Sequence, residues 1–575
     1  MSKEDLILIH APSVYDFRQE SIFYGPVSDL VPSTPVFEMY PFGFTTMANQ
    51  LHKAGYRVRI VNLASMMLND RHLDVERFLS RLDSSVFGID LHWLPHAHGS
   101  LAIAEILRRL HPQSKILFGG FSSSYYHEEL IRYPQVDLVL RGDSTEMPLV
   151  YLMDALDKGN DLSKIPNLTW KDDKGVHVND LTYIPDSLDH LDIDYGWIVR
   201  SVIRHRDLEG AKPFKDWDRY PLTAAFTVRG CSNGCVVCGG SCGAMRRVLG
   251  RTRPAFRSPE KVAEDIDNIE HYINAPIFVV GDIRQHGRDY AERFFKECRR
   301  LDIDSHIVLE LFTPAPTSYF QEANRTFSKY SIQFSPDSHD EKVRHALGRR
   351  FDNEGMESTI TAALQNECQR FDMFFMIGLP EQTRESALGS AEYTHKLYRQ
   401  NGNDERLVVY TSPLAPFLDP GSIAFENPEK FGYRLFAHTL EEHRARLSFP
   451  NWKDVLSYET VWMTRDEIAE TSYDAADRLS DVRVEVGLMT KEERRVRAER
   501  SHEARNLLRE VDAAMTLPER ERKEQLEQLK RRGEELMEST ICQKRELEWD
   551  APSILRSIPR VALSLLRGLA RNGRN

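Results

Sequence analysis

The chain opens with short apolar runs separated by amphipathic segments. Leu6–Ile9 (LILI) reads as a strand, and a helical stretch near Thr45–Ala54 leads through Gly55 into a second, Arg57–Leu63 (RVRIVNL). Ser85–Ile89, Lys115–Phe118 and Val136–Leu140 repeat the pattern, with the amphipathic helix Leu101–Leu110 among them. Strands alternating with helices predict an α/β fold: a doubly wound parallel sheet over residues 1–160, with helices on both faces. Ligands of such sheets sit outside the carboxyl ends of the strands. Residues 161–215 are mixed and read as a connector. A second series follows at Leu222–Val228, Pro276–Val280, His306–Leu311, Tyr330–Phe334, Met373–Ile377 and Leu407–Thr411. Six strands with crossover helices predict a partial (β/α)6 barrel over 216–420, with its chemistry at the C-terminal strand ends. Residues 421–550 read as a helical C-terminal region. Its charge-dense part, 490–547, reads as two solvated helices broken at Pro518.

Composition adds limits. The 575 residues are 41% hydrophobic and 28% charged, ordinary values for folded domains. A net charge of −12 argues against a generally basic nucleic-acid binder. The start, MSKEDLILIH, places acids before a short apolar run, unlike a signal peptide. No apolar stretch nears the roughly 20 residues of a transmembrane helix. The expectation is a cytoplasmic protein. Of seven cysteines, four fall between Cys231 and Cys242. A disulfide framework would spread them out, so the cluster reads as a metal or redox site.

Arg229-Gly230-Cys231-Ser-Asn-Gly-Cys235-Val-Val-Cys238 follows the first barrel strand and spaces its cysteines as C-x3-C-x2-C. Three thiolates on one tight loop can hold three corners of a [4Fe–4S] cluster, leaving one iron for a small molecule. The alternative is a closed zinc site completed by Cys242. Zinc sites usually draw paired cysteines from two separated loops, whereas here four fall within twelve residues.

With this loop, residues 220–415 resemble the radical S-adenosylmethionine (SAM) superfamily. The resemblance implies that the open iron chelates SAM, and that one electron from the cluster releases a 5′-deoxyadenosyl radical. Val279-Val280-Gly281-Asp282 looks like the second-strand motif near the SAM amino group. Ser335-Pro336-Asp337-Ser338 resembles the ribose-contacting segment, with Asp337 where Glu is usual. Ile377-Gly378-Leu379-Pro380-Glu381 resembles the segment beside the adenine. The implied SAM contacts are therefore Val237, Asp282, Ser335, Asp337, Gly378 and Glu381. Val237 stands where an aromatic residue commonly packs on adenine.

Two further segments end strands of the first sheet. These are Phe118-Gly119-Gly120-Phe121-Ser122 and Arg141-Gly142-Asp143. Together they resemble the cobalamin-binding domain that precedes the barrel in one radical SAM subclass, again with Asp143 where Glu is usual. The alternative is a flavodoxin-like domain of other function. Gly119, Gly120, Ser122, Arg141, Gly142 and Asp143 are the implied cobalamin contacts. The common Asp-x-His-x-x-Gly motif is missing after the first strand. Asp90-Leu-His92 is a near match elsewhere, and His92, His96 and His98 read as a pocket rim or a solvated loop. Cobalamin is thus expected without a histidine under the cobalt.

The resemblance implies a C-methyltransferase at an unactivated carbon, served by a reducing partner such as a flavodoxin or ferredoxin. The alternatives are a non-methylating rearrangement, cyclisation or C–C coupling, and, in a different class, a cobalamin sensor. The catalytic residues themselves are not identified. A last feature is the tail 551–575, with five Arg and no acid. Arg556, Arg560, Arg567, Arg571 and Arg574 fall within roughly a 60° arc at 100° per residue, with Ile558 and Leu565 opposite. A basic face opposite an apolar one suits an anionic membrane surface, or a helix docked on the protein. The membrane reading raises a small-molecule or lipid-like substrate as the expectation.

Overall fold

The computed structural model describes residues 3–26, 38–191, 193–219, 221–533 and 540–549, with single positions 536 and 561. The basic tail therefore lies outside the described residues, apart from position 561. Seven strands form the first sheet: β1 (Glu4–His10), β2 (Val58–Asn62), β3 (Ser84–Asp90), β4 (Lys115–Gly119), β5 (Leu138–Leu140), β6 (Leu168–Asp172) and β7 (Gly175–Val178). Their order is β2-β1-β3-β4-β5-β6-β7, and the first five run parallel. Alternation along each strand divides the core. Ile7, Ile9, Phe87 and Ile89 feed one apolar cluster, while Leu6, Leu8, Val58 and Val86 feed another. Both faces are covered, which explains the near-continuous apolar runs of β1 and β2.

The span expected as a connector contributes to this sheet. Its hairpin, β6 and β7, pairs antiparallel onto the β5 edge. The chain then runs through the helix Tyr195–His205 into β8 (Thr223–Phe226). The short β9 (Val228–Arg229) pairs antiparallel with β10 (Ala255–Phe256). The second sheet continues with β11 (Ile277–Val280), β12 (Ile307–Leu311), β13 (Tyr330–Asp337), β14 (Phe371–Ile377) and β15 (Leu407–Pro413). Its order, β8-β11-β12-β13-β14-β15, is sequential and parallel throughout. This is the partial six-stranded barrel expected, with all its C-terminal strand ends on one edge.

A small hairpin, β16 (Tyr433–Leu435) with β17 (Tyr458–Thr460), precedes the C-terminal helices Arg465–Glu485, Lys491–Met515 and Glu519–Gly533. Thr464/Glu467 and Thr490/Glu493 form capping boxes that fix two helix starts. The break falls at Pro518, as expected. The two later helices are not simply solvated. Ser501, Ala504, Leu507, Leu508 and Val511 bury a stripe at i, i+3, i+4 spacing, much of it too small to register as hydrophobic periodicity. Arg505 ties this helix to Asp474 and Asp477 of the helix before it, Arg483 of that earlier helix donates to Val409 O of β15 at 2.8 Å, and Lys530 donates to the Arg18 carbonyl at 2.8 Å. The C-terminal region thus touches both sheets' domains. No helix among the described residues is long and apolar enough to cross a membrane.

Candidate cofactor site

The cysteine loop leaves β9 at Gly230, whose positive φ of 88° and close approach to Arg251 and Pro254 suit glycine. Turns and short helices that follow the neighbouring strands hold it on three sides. Val236 N–H donates to Leu347 O at 2.9 Å, Ala424 N–H donates to Val236 O at 2.9 Å, and Ser232 N–H donates to Gln285 at 3.0 Å. Gly348 packs so close to Gly234 that a Cβ would lie 2.8 Å from its carbonyl oxygen. Cys231, Cys235 and Cys238 are inside this wrap. Cys242 is exposed and opens the helix Cys242–Leu249.

Burial pushes all three thiols above the ordinary cysteine value. Thiolates here need positive partners, and two kinds are present. Asn233 N–H donates to Cys231 Sγ at 3.4 Å and Gly240 N–H to Cys238 Sγ at 3.3 Å. The Arg349 guanidinium pulls Cys231 and Cys235 downward. Three sulfurs, with neither imidazole nor carboxylate among the loop's own side chains, suit a thiophilic metal centre such as an iron–sulfur cluster.

The residues expected to contact SAM lie at the C-terminal ends of β11, β13 and β14, on the same edge as the loop. Their side chains are engaged to different degrees. Asp282 caps the turn Ile283–His286, pairs with Arg284 at 2.5 Å and accepts from Phe312 N–H at 3.0 Å. Asp337 ends β13 with a positive φ of 67° beyond a register shift. Burial raises its carboxyl, and Arg349, whose Nε lies 2.5 Å away, draws it back. Ser335 is half-buried on the same strand. Gly378 donates to Gln382 at 2.8 Å and accepts from Tyr433 at 2.9 Å, so its peptide is used internally. Glu381 is at the rim, 3.1 Å from Lys342. Val237 belongs to the apolar cluster that includes Ile377 and Leu379.

Sequence reading passed over Glu310, at the end of β12. It accepts Gly281 N–H at 2.8 Å, and burial raises its carboxyl to about 7. Neither Glu310 nor Arg349 sits in a local motif, so only the strand order brings them to this edge.

On the first sheet, Gly119 ends β4 and Gly120 follows with φ 117°. A Cβ on Gly120 would lie 2.4 Å from His92 Cα, so the strand ends of β3 and β4 approach as only glycine allows. Ser122 is buried and its hydroxyl has no hydrogen-bond partner, which leaves it for a ligand's polar group. Arg141 is buried and donates to Asn179 O. Gly142 donates to Ser124 at 3.0 Å. Asp143 pairs with Arg251 of the second domain, at 2.9 Å from Nη2. His96, read as part of a rim or solvated loop, is fully buried instead. The turn Leu94–His96 folds it against β1, where its ring meets that of His10.

The two edges face each other through specific ties. Arg229, two residues before Cys231, bonds both oxygens of Glu146 (2.8 and 2.5 Å), and Thr46 donates to the same carboxylate at 2.6 Å. The Arg229 charge keeps Glu146 ionised and below the usual carboxylate range despite burial. Asp419 accepts from Trp93 of the first domain at 3.1 Å and from Gly239 of the cysteine loop at 2.8 Å. Gly239 leaves room for Phe121, which a Cβ would approach to 3.0 Å.

Comparison with known proteins agrees with this layout. Residues 30–150 match the B12-binding domain family and residues 226–393 the radical SAM superfamily. Over 251 residues the chain is 24% identical to the anaerobic magnesium-protoporphyrin IX monomethyl ester cyclase of Synechocystis sp., covering 43% of this chain and 46% of the cyclase. It thus spans about half that relative's length. Over 330 residues it is 21% identical to an uncharacterized methyltransferase of Pyrococcus horikoshii, covering 56% and 67%. Among solved structures, the methyltransferase TsrM of Kitasatospora setae shares the fold with a TM-score of 0.55, 14% identity and coverage of 74% and 76%. The cobalamin-dependent enzyme OxsB gives 0.54, 13%, 100% and 80%. The chain therefore carries a B12-binding domain followed by a radical SAM domain.

Proposed function

We propose that this enzyme uses cobalamin, SAM and a [4Fe–4S] cluster to transfer a methyl group to an unactivated carbon of a small molecule. The observation that carries the reading is the direct apposition of the cysteine loop and the Gly119–Ser122 strand end, tied through Arg229–Glu146 and Asp419. When bound, the cluster would supply an electron to SAM and cobalamin would supply the methyl carrier. The chain's own residues do the rest. Cys231, Cys235 and Cys238 hold the cluster, and Arg349 balances its negative charge. Asp337 and Glu310 offer carboxyl oxygens to the polar groups of SAM. Gly119, Gly120 and Gly142 let neighbouring backbone and side chains close in at the strand ends, Ser122 would offer its hydroxyl to cobalamin, and Arg141 and Asp143 hold that edge to the hairpin and to Arg251. The ties between domains hold the two edges together, so that both cofactors would be held against one substrate. A flavodoxin or ferredoxin would be the reducing partner, and a lipid-like substrate is one candidate.

A second reading keeps the cofactors but omits methyl transfer. The likeness to the magnesium-protoporphyrin cyclase, whose name describes ring closure, favours it. Product mass separates the two once a substrate is found by screening. A gain of one methylene unit supports transfer, and an unchanged or hydrogen-depleted product excludes it.

A further inference from the structure

A second donor set, sharing no residue with the cysteine loop, lies in the first domain. It sits at the ends of β1 and β3, neighbours in the sheet and the point where its strand order reverses. His10 ends β1, and its Nδ1 is 3.1 Å from each oxygen of Asp90, which ends β3. A carboxylate only accepts, so Nδ1 carries the proton and Nε2 presents a lone pair. Nε2 has no hydrogen-bond partner and lies 3.9 Å from Glu38 Oε2. The other Glu38 oxygen accepts from Ser13 N–H at 2.8 Å and Ser13 Oγ–H at 2.7 Å, while Oε2 is also without a partner. His96 completes the set. Its ring centroid is 4.7 Å from that of His10, and neither nitrogen is hydrogen-bonded.

All three side chains are 0% exposed, and one ligand atom from each lies within 4.8 Å of the others. Three unpaired polar atoms converging in a sealed space are costly unless something occupies it. A cation bonding nitrogen and oxygen at about 2.0–2.2 Å spans separations up to about 4 Å between ligand atoms. Two imidazoles and a carboxylate are a familiar donor set for zinc and ferrous iron. Asp90 behind His10 is the outer carboxylate such a histidine usually has.

We propose that His10, Glu38 and His96 bind one divalent transition cation, separate from the cysteine-bound iron and from cobalamin cobalt. It would tie the segment leading to the helix Gly43–Lys53 onto the ends of β1 and β3.

The test uses the full chain with Cys231, Cys235 and Cys238 replaced by Ala, prepared without cobalamin. Zinc is the probe, because nitrogen and oxygen sites generally hold it more tightly than ferrous iron. The expected result is one zinc per chain after equilibration and removal of excess. Glu38→Gln and His96→Asn should each weaken zinc affinity about 10-fold or more, while His98→Ala, outside the set, should not. A chelator should lower the melting temperature of the chain lacking Cys231, Cys235 and Cys238, and zinc should restore it, an outcome independent of whether the variants fold. No retained zinc, or equal affinity in Glu38→Gln and His96→Asn, would overturn the proposal.

Discussion

The pairing of Arg229 with Glu146 joins the two domains beside the cysteine loop, and Arg229→Met tests it. The side chains are 14% and 2% exposed, so removing the cation strands a buried carboxylate left with Thr46 and a backbone N–H as its support. Breaking one half of such a pair costs about 3–5 kcal/mol. The cost is set by the stranded charge, so Glu146→Gln in the same chain should recover much of it. The expected coupling between the two substitutions is about 2–3 kcal/mol. The pH dependence has a definite sign. The Glu146 carboxyl is depressed in the folded chain, so the pair stabilises above the ordinary value of 4.5 and is lost as pH falls through the folded value. The deficit of Arg229→Met should therefore be full near neutrality and shrink near about pH 4. Urea unfolding of the apo chain at both pH values, followed on its least stable transition, measures this. Additive substitutions, or a loss below about 1 kcal/mol, would refute the reasoning.

Other consequences are sharper in direction than in size. Cys235→Ala should abolish cluster assembly and SAM cleavage while leaving cobalamin bound, whereas Cys242→Ser should retain iron; iron analysis and retained cobalamin absorbance distinguish them. Glu310 titrates near 7 in the folded chain, so stability falls as pH rises through that value. At 1.36 kcal/mol per unit, Glu310→Gln should make the apo chain about 3 kcal/mol more stable than its parent at about pH 8.5, with the two converging below about pH 4.5. Gly120→Ala places a Cβ 2.4 Å from His92 Cα and should destabilise the first domain by about 3 kcal/mol, with loss of cobalamin retention by gel filtration.

The parallel strands were legible because doubly covered sheets leave continuous apolar runs, as in β1 and β14. The β6–β7 hairpin was not, because its strands are only five and four residues long and carry few apolar side chains on that exposed edge. The docked face of the helix Lys491–Met515 was hidden for a related reason: Ser501 and Ala504 pack without looking apolar. At the site, the cysteine loop could be read because its spacing is local. Arg349, Glu310 and Asp419 could not, since each reaches the edge that carries the cysteine loop from a different strand end or loop. Asp143 and Arg141 stood out in sequence, yet in the fold they are bonded to Arg251 and Asn179. Only the juxtaposition of two domains, or of a hairpin, explains those contacts. His10 and Glu38 lie 28 positions apart in sequence and belong to no motif.

The central claim is that one chain holds an iron–sulfur cluster and a cobalamin on facing domain edges. Anaerobic purification and iron reconstitution with cobalamin, followed by iron, sulfide and cobalt analysis, tests it most directly. The account predicts about four iron and four sulfide with one cobalamin per chain. Zinc at the cysteines with no retained cobalamin would contradict it.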